Sequence, residues 1–317
     1  MDHTLNNMFC KTIIFIFYMQ FILWSNKVIA QIPLVACGTI NHIEHFNSKY
    51  ISAHTIDVWL PQNYNHKRNY PVLYLHDGRS IFDSTLVGER QEWTVDETID
   101  RLVSENKIRN CIVVAIWNDP TYRFSEYFPQ RPFETLADSI QNNIYSTAKY
   151  NNYRLFNSRI YSDNYLLFIT QELKPYIDSA YSTKGNRRNT FIAGSSLGGM
   201  ISLYAICEYP KIFGGAACLS THWPGIFTLV DNPFPKTMLE YLQTHLPKSR
   251  KHKFYFDFGG KGIDTTYKTF QKMVDEIGKL KNYTAKNWLT LEFPDADHSI
   301  RAWKKRIEFP LEFLLKK

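Results

Sequence analysis

The stretch from Thr190 to Glu208 constrains the chain most. Thr190-Phe191-Ile192-Ala193 is a short apolar run suited to a buried strand. Gly194-Ser195-Ser196-Leu197-Gly198 follows at once, and Gly198–Glu208 reads as a helix. A strand that turns this sharply into a helix is the start of a βαβ unit. The rest of the chain keeps the same alternation. Thr55–Leu60, Pro71–Leu75, Cys111–Trp117, Gly215–Ser220, Lys253–Phe258 and Trp288–Phe293 read as strands. Val95–Ser104, Tyr165–Ala180, Pro235–His245, Tyr267–Leu280 and Ile300–Leu315 read as helices. Such alternation implies an α/β fold with a mostly parallel central sheet and helices on both faces. Cys111–Trp117 (CIVVAIW) has no polar break, as a strand covered on both faces requires. Residues 118–163 are polar and aromatic, with Pro120, Pro129 and Pro132, and read as an insertion outside the core.

Composition excludes other classes. At 44% hydrophobic and 15% aromatic residues, the 317-residue chain carries too much apolar surface for a disordered protein. With 14 Gly and 14 Pro it is neither collagen-like nor of low complexity. No repeat or biased linker appears, so residues 31–317 read as one domain. The net charge is +7, but the basic residues are scattered apart from clusters at Lys248–Lys253 and Trp303–Arg306. No nucleic-acid motif appears, and no nucleic-acid partner is expected. Attraction to acidic polymers stays open.

The N-terminus reads as a leader. Thr12–Trp24 is nearly all apolar, with Lys11 before it, and is too short to span a bilayer, which takes roughly 20 residues. Small residues at Val28-Ile29-Ala30 place cleavage after Ala30, so residues 1–30 are expected to be a signal peptide. The expected protein is exported, periplasmic or secreted, and has no membrane partner after cleavage. Leu34-Val35-Ala36-Cys37 has a lipobox-like order, but a polar stretch separates it from the apolar run, which disfavours lipidation at Cys37. Cys111, Cys207 and Cys218 lie in apolar surroundings and read as buried small hydrophobes.

Gly194–Gly198 also fits G-x-S-x-G, in which the central residue, Ser196, projects from a strand–turn–helix at the sheet edge. The unpaired N–H groups of the helix start, Leu197 first, then face a developing oxyanion. A serine hydroxyl needs a positioned base. His298 follows the last strand and precedes the closing helix, where a loop can return it to Ser196. An acid belongs after the preceding strand, where Asp257 and Asp264 both stand. Asp257 lies inside the strand, whereas Asp264 follows Gly259, Gly260 and Gly262 in a loop free to turn toward His298. Asp264 is the expected acid, in the order Ser…Asp…His. Asp295, Asp297 and His298 match no standard metal spacing, and neither metal nor cofactor is expected. Trp117, Arg123, Glu126, Tyr127, His222 and Trp223 stand at strand ends or on the insertion and are candidates for a substrate pocket; packing of the insertion onto the sheet is the other reading.

Several stretches carry a more specific resemblance. They are Tyr70–Gly78 (YPVLYLHDG), Trp93-Thr94-Val95-Asp96, Arg123–Pro129 (RFSEYFP), Glu172–Ile177, Gly194–Gly199, and His298 with Trp303. Together they resemble the putative esterase family of α/β-hydrolases, over nearly all of residues 38–317. That family includes siderophore esterases, feruloyl esterases, esterase D and the antigen 85 mycolyltransferases. The resemblance implies an α/β-hydrolase fold and a second oxyanion donor in the backbone N–H of Gly78 or Arg79. Arg79-Ser80 stand where relatives often carry Gln-Asn. The expected function is hydrolysis of small-molecule or glycan esters through an acyl-enzyme: acylated carbohydrates, feruloyl esters or siderophore lactones. An acyltransferase using the same residues, and a binding protein with a vestigial site, are the alternatives.

Overall fold

The computed structural model describes residues 31–88, 90–228 and 231–317. The leader and its cleavage site lie outside the described residues. The main sheet has eight strands. They are β1 (Thr39–Phe46), β2 (His54–Leu60), β3 (Val72–His76), β4 (Ile112–Ile116), β5 (Thr190–Ser195), β6 (Gly215–Leu219), β7 (Lys253–Gly259) and β8 (Trp288–Phe293). Their spatial order is β1-β2-β4-β3-β5-β6-β7-β8. β1 and β2 run antiparallel to their neighbours, and the other pairs are parallel.

Side chains that alternate along each strand build two apolar layers. Val72, Tyr74, Ile112 and Val114 face one of them, where helices Leu197–Glu208, Phe234–His245 and Tyr267–Leu280 pack. Leu73, Leu75, Val113 and Ala115 face the other, against helices Val95–Ser104 and Glu308–Leu315. Helix Leu197–Glu208 is buried over every residue except Glu208. A helix apolar all round belongs in a core, and this one fixes the position of Ser196.

Four features depart from the sequence reading. β1 was not read as a strand: its TINHIEHF sequence is polar and half-exposed because it is an edge strand paired only to β2. Residues 118–163 are not outside the core. They form helices Arg123–Tyr127, Gln130–Glu134 and Asp138–Thr147, and Tyr127, Phe128 and Phe133 are fully buried. The helix expected from Tyr165 begins at Ser162 and passes through a π-helical turn at Phe168–Leu173. Pro175 just beyond has no N–H to continue the α-pattern. The closing helix is two helices, Ile300–Lys304 and Glu308–Leu315. Pro310, which cannot donate to the carbonyl four residues earlier, stands in the first turn of the second. Cys37, Cys111, Cys207 and Cys218 are free thiols, the last three buried. No helix among the described residues is long and apolar enough to cross a membrane.

Candidate active site

β5 delivers Ser196 at a sharp turn. Ser196 has φ 57° and ψ −121°, a conformation costly for a residue with a Cβ. The turn survives because its neighbours are small: a Cβ on Gly194 would lie 2.7 Å from the carbonyl carbon of Gly198. The Ser196 N–H donates to the Leu219 carbonyl at 2.8 Å, which ties the turn to β6. Leu197 opens the helix, so its N–H has no intrahelical partner and sits at the positive end of the dipole.

His298 lies in the loop after β8. Its Nδ1 is 2.5 Å from Oδ1 of Asp264, and Trp303 and Tyr267 stand edge-on to its ring. Asp264 sits on a short 3-10 turn after β7 and is fully buried. Its Oδ2 accepts from the Gly259 N–H at 2.7 Å and from the Ser220 hydroxyl at 2.5 Å. Burial favours the neutral acid, but contacts with His298, Ser220 and Gly259 outweigh it and hold the carboxyl below its ordinary range. Asp257 also accepts from Ser220, through the backbone N–H at 3.2 Å, but does not touch His298. It pairs with Arg306 at 3.0 Å and accepts from the Tyr255 hydroxyl at 2.9 Å. Burial pushes its pKa up to about 6, with Arg306 pulling the other way.

Ser196 and His298 line one cleft of about 360 Å³, together with Asp77, Arg79, Ser80 and Arg123. The loop after β3 forms its wall. Arg123 forks onto Asp77, with Nε to Oδ1 and Nη2 to Oδ2 both at 2.7 Å. A Cβ on Gly78 would lie 2.6 Å from Trp117 Cδ1, so Gly78 can occupy this position only without a side chain. The Arg79 guanidinium lies 4.9 Å from the Trp117 ring centre. Trp117 in turn donates its Nε1–H to Asp57 at 2.5 Å.

Of the other pocket candidates, Arg123 lines the cleft, and Trp117 backs Gly78 and carries Arg79. Glu126, Tyr127, His222 and Trp223 are buried and do not line it. Glu126 bonds to His54 at 3.1 Å and to Tyr161 at 3.3 Å. Tyr127 accepts from the Asp77 N–H at 3.4 Å. His222 contacts the Tyr267 hydroxyl at 2.6 Å, and Trp223 packs beside Phe256. The insertion is packed into the core, so Glu126 and Tyr127 face inward, and His222 and Trp223 are buried beside Tyr267 and Phe256.

The sequence reading missed Ser220 and Arg306. The Ser220 hydroxyl receives Trp303 Nε1 at 3.1 Å and Arg306 Nη2 at 2.5 Å, and gives its own proton to Asp264. Arg306 belongs to the basic cluster Trp303–Arg306, yet it is 1% exposed. The only sequence signal was the position of Ser220 at the end of the strand after the nucleophile helix.

Comparison with known proteins gives the family and the fold. The family model described as Putative esterase matches residues 50–311. Two uncharacterized Bacillus subtilis proteins are similar in sequence. YbbA is 25% identical over 52% of this chain and 56% of its own length. YjcH is 24% identical over 88% of this chain and 98% of its own length. The enterobactin esterase of Shigella flexneri, solved with 2,3-dihydroxy-N-benzoyl-glycine, is similar in fold, with a TM-score of 0.63 at 16% identity. That match covers 89% of this chain and 60% of the enzyme. A model spanning residues 50–311, over a sheet of this order with a serine at the end of β5, places the chain in the Putative esterase family of α/β-hydrolases, a family of carboxylic ester hydrolases.

Proposed function

We propose that the chain is an exported serine esterase in which Ser196, His298 and Asp264 act as a triad. The observation that carries this reading is the 2.5 Å contact of His298 Nδ1 with buried Asp264, while His298 and Ser196 share one cleft. Asp264 fixes the tautomer of His298 and stabilises the imidazolium without taking the proton itself. His298 then removes the Ser196 proton as the hydroxyl attacks the ester carbonyl. The oxyanion points at the N–H of Leu197 and at that of Gly78 or Arg79, and losing one such donor costs roughly 3–4 kcal/mol of transition-state stabilisation. The alcohol leaves with the proton from His298, and water releases the acid from the acyl-enzyme.

Arg79, Arg123, Trp93 and Trp303 all line the cleft, which supports an acyl group that is aromatic and carries polar or anionic substituents. Feruloyl and siderophore-type esters have that chemistry, and acylated carbohydrates share its polar alcohol side. Export rests on the apolar Thr12–Trp24 run and the small residues before Gln31. N-terminal sequencing of secreted material should begin at Gln31. A fluorophosphonate should label Ser196, and Ser196→Ala should remove nearly all hydrolysis of p-nitrophenyl acetate and of a feruloyl ester while the fold persists. Labelling at Ser195, or turnover retained in Ser196→Ala, would overturn the assignment.

A further inference from the structure

Parallel strands put all their N-terminal ends at one edge of a sheet. Here Arg187 and Arg188 precede β5, Arg250 and Lys251 precede β7, Lys253 begins β7, and Arg109 precedes β4. These six side chains line one groove of about 340 Å³. It lies at the opposite sheet edge from Ser196. Seven-residue β7 alone separates the two edges by roughly 20 Å.

The groove has no counter-charge. Among the described residues, none of the six is ion-paired to a carboxylate, although Lys and Arg elsewhere commonly are. Arg109 gives Nη1–H to Asn189 at 2.6 Å, but its buried Nε has no partner. The Lys253 ammonium donates to the Phe313 carbonyl at 3.3 Å and lies over the Phe313 ring, 5.9 Å from its centre. Burial and the nearby Arg109 and Lys316 hold the Lys253 ammonium below its usual range. Cations crowded into a concavity without an acid repel one another and concentrate anions. Guanidinium forks match phosphate oxygens two at a time. The apolar lining residues Phe191 and Leu314 are buried, so the groove offers nothing for insertion into a bilayer.

We propose that this groove binds a soluble ligand carrying several phosphate groups, apart from the esterase site and independently of it. Isothermal titration of the mature chain with tripolyphosphate, at a series of salt concentrations, tests it. Wild type should give saturable binding that weakens as salt rises. The double variant Arg188→Ala/Arg250→Ala removes two exposed side chains remote from Ser196. It should raise Kd at least tenfold and leave p-nitrophenyl acetate hydrolysis unchanged. Absence of saturable binding to wild type, or equal affinity in the double variant, would overturn the proposal. So would binding of phosphatidylglycerol vesicles in the absence of tripolyphosphate binding.

Discussion

Two aspartates near the end of β7 share Ser220 and Arg306 as neighbours but differ in their nearest charged partner, and that partner assigns their tasks. Asp264 touches His298, whereas Asp257 touches Arg306. Asp264→Asn should therefore lower turnover by roughly three to four orders of magnitude through the wrong imidazole tautomer, with melting little changed. Asp257→Asn removes the nearer of the two carboxylates beside buried Arg306, at 3.0 Å against 3.9 Å for Asp264, and breaking such a buried pair costs up to roughly 3–5 kcal/mol. Its melting temperature should drop steeply while the remaining folded protein still turns over. Ser220 works through Asp264. Two donors point at its oxygen, so its one proton must go to the carboxylate. Its φ is 41°, so glycine accepts the backbone better than alanine would. A hydrogen bond to a charged group is worth roughly 1.5–3 kcal/mol. Ser220→Gly should cut kcat roughly ten- to hundredfold with KM nearly constant, and should move the acid limb of the pH–rate profile upward. A loss confined to stability would make Ser220 merely structural.

At the scale of elements, the turn between β5 and its helix is the joint that aims Ser196. Gly194→Ala would press a methyl group against backbone, which cannot yield as a side-chain end can. We expect a loss of roughly 1–3 kcal/mol in stability, and turnover reduced further than unfolding explains, because Ser196 is displaced. Chemical denaturation and kcat per folded molecule separate the two effects. This joint was legible in the sequence because its constraint is local: glycines at fixed spacing, an apolar run before, a helix after. The parallel strands were legible for the same reason, since burial on both faces leaves uninterrupted apolar runs such as Ile112–Ile116. β1 was not, because an edge strand that is half-exposed needs no apolar pattern. The insertion misled in the other direction. Its prolines and polar residues signal loops, while Tyr127, Phe128 and Phe133 are buried by partners distant in sequence. His298 and the Asp264 loop could be placed from strand order. Ser220 and Arg306 could not, because only the folded chain brings residues 220, 257, 264 and 306 together.

At the scale of the whole molecule, the active-site side of the fold stores neutral histidines. His76, at the end of β3, and His222, after β6, are buried, and burial lowers each pKa to about 3. Nε2 of each has no hydrogen-bond partner among the described residues. An unfolded histidine titrates near 6.5. Between about pH 6.5 and pH 3 the unfolded chain therefore binds protons at these sites that the native chain refuses. Stability rises with pH wherever the unfolded state holds more protons, so both histidines make the fold weaken as pH falls through this window. Asp264 acts later. Its carboxyl is held below the ordinary range, so its contribution is present above about pH 4 and is lost only as pH falls through its lower native pKa. Asp257, whose carboxyl burial raises to about 6, binds a proton near pH 5 that the unfolded chain does not, and so acts in the opposite sense. A comparison of wild type with a histidine variant cancels that contribution and isolates one site, which accounts for about one proton near pH 5, or about 1.4 kcal/mol per pH unit. His222→Gln keeps a polar side chain beside Tyr267 and removes the titration. Urea unfolding of wild type and His222→Gln between pH 5 and 6 should give slopes of stability against pH that differ by about one proton, with the variant flatter. Parallel slopes would mean that His222 takes up its proton in the native state, and that acid weakening of the fold begins elsewhere.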